Sequence, residues 1–178
     1  ILSFQNLENY YDKISNNLSI INIKIYVLAL FEKSLINKKN YKHFVKRLQI
    51  VADKLNNKNI KLALETNLDV TSVKDLIKLI KRKNVFLVYD TGNRLKRGNL
   101  QFNEIIKLKK HICHFHLKDK NWKGQNVILG SGNVNLVSIL GAIKKIKFKG
   151  NFVFETNRGN NPIQTMIYNK EYILKIIG

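Results

Sequence analysis

Apolar positions in this chain fall into short runs divided by stretches with helical spacing. Five runs, at residues 20–30, 60–65, 85–90, 112–117 and 152–155, have the length and continuity of strands buried on both faces. Between them the apolar positions recur every three or four residues. Residues 41–55 carry Phe44, Leu48, Val51 and Leu55, and residues 69–83 carry Val73, Leu76, Ile77 and Ile80. Residues 102–110 read as a short helix, and 136–145 as another with Leu136, Ile139, Leu140 and Ile143 facing inward. Pro162 opens a closing helix over 163–177. Residues 1–16 read as a helix tail with Leu7, Tyr10, Tyr11 and Ile14 on one side. The Gly92 and Gly98 region reads as a loop, and residues 119–133, with Gly124, Gly130 and Gly132, as a long active-site loop.

Strict strand–helix alternation argues for a parallel α/β sheet. Four of the runs end in a ligand-type side chain: Glu65 closes KLALE, Asp90 closes VFLVYD, His116 lies in HICHFH and Glu155 closes NFVFE. Counting back in twos puts Ala63, Val88, His114 and Val153 on the same face as these residues. The opposite face carries Leu64, Tyr89, Phe115 and Phe154, all large. A closed barrel has this distribution, with modest side chains inside and bulky ones under its helices, although an open sheet also satisfies it. The strand tips of a parallel barrel meet at one mouth. Three carboxylates and an imidazole gathered there make a divalent-metal site of mostly hard oxygen character. Mn²⁺ is the first expectation, ahead of Mg²⁺, Co²⁺ and Zn²⁺.

Composition changes this picture little. Thirty-two Lys plus Arg against 12 Asp plus Glu give a net charge of +20. Lysine supplies most of the excess and is spread along the chain, whereas a nucleic-acid surface concentrates charge and favours arginine. No nucleic-acid partner is therefore expected, though positive charge helps collect a phosphorylated substrate. The lone Cys113 excludes an internal disulfide and fits a reducing, cytoplasmic setting. The apolar stretch 25–31 is too short to span a bilayer, so no membrane role is expected. No low-complexity linker interrupts residues 1–178, which read as a single domain.

The blocks LALETN, VYDTGNR, HFHLKD, ILGSGNVNL and FVFETN, in this order over residues 20–157, resemble the xylose-isomerase-like TIM-barrel superfamily of sugar-phosphate isomerases and epimerases. The likeness is strongest to the L-ribulose/L-xylulose 5-phosphate 3-epimerase branch. It implies a (β/α)₈ barrel of which these strands are the fourth to eighth, the first three β/α units being absent. A complete barrel usually takes about 250 residues, against 178 here. The resemblance implies Glu65, Asp90, His116 and Glu155 as metal ligands, with Glu65 and Glu155 as the acid/base pair flanking the substrate. Moving a proton next to a carbonyl needs a base to take it and positive charge to steady what remains. One carboxylate on each face, with a metal on the substrate oxygens, supplies both and inverts the carbon.

The same resemblance makes Asn93 a partner for a substrate hydroxyl, where many free-sugar epimerases have His. It makes Lys118 and Arg158 candidates for substrate oxygens or phosphate. His114 lies two residues before His116 on the same face; it reads first as a residue one layer beneath the ligands, with a two-histidine zinc pair as the alternative. Asn135 stands where the family often has Asp and suits a helix N-cap. The expected activity is metal-dependent isomerisation or 3-epimerisation of a ketose or ketose phosphate, by a protein whose relatives commonly form homodimers. Three alternatives stand beside it: an endonuclease-IV-like DNA-repair nuclease, a dehydratase of a keto-inositol, and an inactive barrel remnant. Such a nuclease carries further His and acidic ligands for a three-zinc cluster, and this chain has Asn93 where one such His would stand.

Overall fold

Short capping side chains set where the helices begin. Asp69 accepts the Ser72 N–H at 2.8 Å and Asn135 accepts the Ser138 N–H at 3.0 Å, each starting a helix that turns its apolar stripe inward. A computed structural model describes residues 2–31, 34–37, 39–95 and 100–177. The sequence-based loop around Gly98 lies outside the described residues. In chain order the elements are α1 (Phe4–Ile20), β1 (Ile25–Ala29), α2 (Tyr41–Asn56), β2 (Lys61–Glu65), α3 (Val70–Ile80), β3 (Val85–Asp90) and α4 (Gln101–Leu108). There follow β4 (Ile112–Leu117), β5 (Asp119–Lys120), β6 (Asn126–Val127), α5 (Leu136–Lys145), β7 (Asn151–Phe154) and α6 (Pro162–Ile177). The chain forms two compact units, Ile1–Val88 and Tyr89–Gly178, with β3 running from one into the other.

In the first unit β1, β2 and β3 are parallel and neighbours in that order. Ala29 pairs with Glu65 and Glu65 with Val88, which fixes the level of each strand end. Leu62, Ala63 and Leu64 of β2 are buried, as a strand flanked on both sides requires. Leu48, Val51 and Leu55 of α2 and Val73, Leu76 and Ile80 of α3 make the core beneath it, as their spacing predicts. The Tyr41 hydroxyl donates to the Ser72 carbonyl at 3.0 Å and ties α2 to α3.

In the second unit the end of β3, β4 and β7 are again parallel neighbours. The Thr91 N–H donates to the His116 carbonyl at 3.0 Å, and the Glu155 N–H to the Leu117 carbonyl at 3.1 Å. All six residues of β4 are buried. Leu136, Ile139, Leu140 and Ile143 of α5 are buried as their spacing predicts. Both units are α/β with parallel strands, as expected from the alternation.

Several boundaries differ from the sequence reading: the helix expected over 69–83 ends at Ile80, and Glu155 lies one residue beyond β7. Residues 20–30 are not one strand: α1 continues through Ile20, Asn22 turns the chain at φ 57°, and β1 begins only at Ile25. Ile20 and Ile21 are 82% and 67% exposed, so the apolar residues that extended the run face outward. The loop over 119–133 contains a small antiparallel ribbon, β5 paired with β6.

Candidate metal centre

Three strand ends of the second unit place ligand-type groups on one face. In the β4–β7 register His116 pairs with Val153, so Glu155, two residues on, points to the same side. The Thr91 to His116 hydrogen bond sets Asp90 beside them. Each of Asp90, His116 and Glu155 offers one ligand atom, and these lie within 4.8 Å of one another. His116 Nδ1 is 3.2 Å from Glu155 Oε1 and 3.8 Å from Asp90 Oδ2. Asp90 and His116 are almost wholly buried, whereas the Glu155 side chain is 37% exposed, leaving the group open on its side.

This donor set fits a divalent ion. With Nδ1 unprotonated, His116 and two carboxylate oxygens bring lone pairs within 4.8 Å of one another, a crowding that a small cation reconciles. Asp90 is held as a single-oxygen donor, because its Oδ1 accepts the Asn93 N–H at 2.7 Å. Glu65 belongs to the first unit, where it closes β2 with its side chain buried and its carbonyl accepting the Leu30 N–H at 2.9 Å.

The remaining expected residues divide. Lys118 is buried, with Nζ 2.9 Å from Asp90 Oδ2 and 2.7 Å from Glu155 Oε2. Burial by itself lowers the Lys118 pKa, but hydrogen bonding and charge from Asp90 and Glu155 outweigh it and raise the value above the ordinary range. The Asn93 side chain accepts from Lys120 Nζ at 3.1 Å. His114 stands beneath, its ring centroid 5.3 Å from that of His116. Its Nδ1 has no hydrogen-bond partner among the described residues. Burial lowers the His114 pKa, the neighbouring His116 adds to this, and Glu155 opposes it, so the ring is neutral at pH 7. Arg158 is exposed and lines a cleft with Thr156, Pro162, Thr165 and Met166.

Two supporting groups escaped the sequence reading. Asp119, fully buried, accepts backbone N–H bonds from Lys120, Gly130, Gly132 and Val134 at 2.8–3.0 Å and so shapes the segment after β6. Its signal was the two glycines that follow at close spacing. Gly132 has no room for a β-carbon, which would lie 2.6 Å from the Lys120 carbonyl oxygen. Glu104 accepts from the Tyr89 hydroxyl and from Arg94 Nη1, both at 3.0 Å, and Arg94 is 1% exposed. No spacing rule announces that trio.

Comparison with known proteins follows the same lines. The uncharacterized protein MJ1311 of Methanocaldococcus jannaschii is 27% identical over 105 residues, which cover 57% of this chain and 36% of that protein. The xylose isomerase domain protein from Planctomyces limnophilus superposes with a TM-score of 0.80 at 19% identity, over 95% of this chain and 65% of that one. The D-psicose 3-epimerase from Clostridium cellulolyticum H10, solved with D-tagatose, gives 0.79 at 16% identity, over 97% and 71%. At these identities the structural likeness is one of fold, and the chain spans about a third of the curated relative's length. A family model described as xylose isomerase-like TIM barrel matches residues 16–175, and the chain belongs to that family.

Proposed function

We propose that this chain carries the metal site of an isomerase or 3-epimerase acting on a ketose or ketose phosphate. The observation that supports it most is the convergence of Asp90, His116 and Glu155 at neighbouring strand ends, within 4.8 Å. Glu65 is the proposed fourth ligand. It pairs in register with Val88, which shares a face of β3 with Asp90 two residues later. Mn²⁺ is the first expectation for three carboxylates and one imidazole. Bound there, a divalent ion would act as a Lewis acid on the substrate's carbonyl and hydroxyl oxygens.

The chain's own residues then move the proton. One of Glu65 and Glu155 takes it from the carbon next to the carbonyl, and the other returns one on the opposite face. Partial exposure of Glu155 suits a group that must meet substrate. Asn93, at the turn after Asp90, is the proposed partner for a substrate hydroxyl, and Arg158 the proposed contact for a phosphate. In this reading the chain's strands are the fourth to eighth of a barrel, and activity belongs to the whole protein. The fold likeness to a protein named a D-psicose 3-epimerase supports the substrate class.

The test is a panel of pentuloses and hexuloses, free and phosphorylated, given to the Mn²⁺-loaded whole protein in heavy water. Metal-dependent deuterium uptake at the carbon beside the carbonyl is expected, with a new epimer or isomer. No uptake across the panel rejects the reading, and preference for free sugars rejects its phosphate part. Cleavage of an abasic-site duplex with stoichiometric zinc would favour the nuclease instead.

A further inference from the structure

Lys118 is set apart from the other lysines by where its stem is made to run. Its backbone is held from both directions by one side chain: the Thr91 hydroxyl donates to the Lys118 carbonyl at 2.6 Å and accepts its N–H at 2.8 Å. The stem then crosses Gly92, where a β-carbon would lie 2.7 Å from Cγ and 2.9 Å from Cδ. The path is therefore built by a threonine and a glycine from another strand end. It delivers a buried ammonium to Asp90 Oδ2 and Glu155 Oε2, at 2.9 and 2.7 Å.

Those are the carboxylates that face His116. Asp90 Oδ2 serves both sides, being 3.8 Å from His116 Nδ1 as well. Glu155 divides its oxygens, Oε1 toward His116 and Oε2 toward Lys118. Two carboxylates this close, Asp90 buried and Glu155 partly exposed, repel each other unless a cation stands with them. We infer that Lys118 is a built-in counter-ion of the metal site: its ammonium holds Asp90 and Glu155 in place before the metal arrives and limits how tightly the metal binds. The inference rests on the reading that Asp90, His116 and Glu155 hold a divalent ion.

The limit follows from charge. With Glu65 included, three carboxylates and one ammonium carry a net charge that one divalent ion cancels. Without the ammonium an extra negative charge would remain to hold the ion. A fixed positive charge sharing an Asp90 oxygen with the metal also repels it. Metal binding is then exchangeable, and the cluster stays assembled between binding events.

The test compares the whole protein with its Lys118→Met variant, which keeps the length of the stem and loses the charge. Melting is followed in EDTA, and Mn²⁺ affinity by electron paramagnetic resonance. In EDTA the variant should melt several degrees lower, as expected when buried Asp90 and its neighbour Glu155 are left without their cation. It should bind Mn²⁺ about tenfold or more tightly and show the larger metal-induced rise in Tm. Equal melting in EDTA, or Mn²⁺ affinity unchanged or weakened, overturns the inference. Should Lys118→Met not fold, the double variant Lys118→Met/Glu155→Gln, with one carboxylate fewer, should fold again. Failure of that variant too means the stem only packs, and overturns the inference. A wild-type protein that takes up no Mn²⁺ sinks the metal reading and the affinity limit together. The EDTA melts are independent of metal and still decide whether Lys118 is the counter-ion.

Discussion

The Asp119 carboxylate and the backbone of Gly132 are fitted directly to each other. Asp119 Oδ2 accepts the Gly132 N–H at 2.9 Å, and a β-carbon on Gly132 would fall on that carboxylate. The same side chain takes the N–H groups of Lys120, Gly130 and Val134. One residue thus serves as the acceptor for most of a segment that has little regular structure of its own.

Asp119→Asn replaces one of those acceptor oxygens with a donor and sets it against buried N–H groups. A loss of about 2–4 kcal/mol is expected, since each unsatisfied buried donor costs roughly 1–3 kcal/mol. Denaturant unfolding measures the loss. Amide exchange at Gly130, Gly132 and Val134 should quicken more than exchange in β4; uniform quickening would show that Asp119 acts on the whole unit instead.

Arg94, Tyr89 and Glu104 form a second buried arrangement. Arg94 lies over the Tyr89 ring at 4.9 Å, and its guanidinium is paired with Glu104. Burial and the Glu104 charge both push the Tyr89 phenol above its ordinary pKa, so it stays a donor. Glu104→Leu leaves a buried guanidinium without this carboxylate and should cost about 3–5 kcal/mol. Arg94→Met together with Glu104→Leu removes both charges and should recover most of that. A double variant no more stable than Glu104→Leu would show that packing, not charge, decides the loss.

Legibility followed burial. The strands over 85–90 and 112–117 coincide with β3 and β4 because nearly every residue in them is buried, so the apolar run and the strand end together. The junction of α1 and β1 was misread because Ile20, Ile21 and Ile23 are apolar but at least partly exposed. A run of isoleucines carries the same signal whichever way it faces. Asp90, His116 and Glu155 were readable because a strand's period of two fixes which residues share a face. The path of Lys118 was not. It depends on Thr91 and Gly92, which come close only once β3 and β4 have paired, and a lysine after His116 reads equally well as a surface residue.

His116→Ala removes the nitrogen from the donor set and leaves only carboxylates, two of them already engaged by Lys118. Mn²⁺ affinity should fall about 100-fold or more, because a ligand lost outright costs more than an outer partner, which is worth about 10–100-fold. His114→Ala removes a residue beneath the ligands and should fall within that lower range. Isothermal titration separates the two; equal losses would make His114 a ligand in its own right.

Glu155→Gln distinguishes a proton carrier from a ligand. The amide keeps an oxygen for the metal but can neither take nor give a proton at neutral pH, so turnover should drop about 10²–10⁴-fold. Mn²⁺ affinity should fall much less than in His116→Ala. If Glu65 and Glu155 serve opposite faces, the two epimers of a substrate will respond differently. The epimer whose proton faces Glu65 should still exchange that proton with heavy water, because removal and return on that side need no help from Glu155. The other epimer should exchange hardly at all, and neither should convert to its partner. Equal loss of exchange from both epimers would overturn the assignment of one carboxylate to each face.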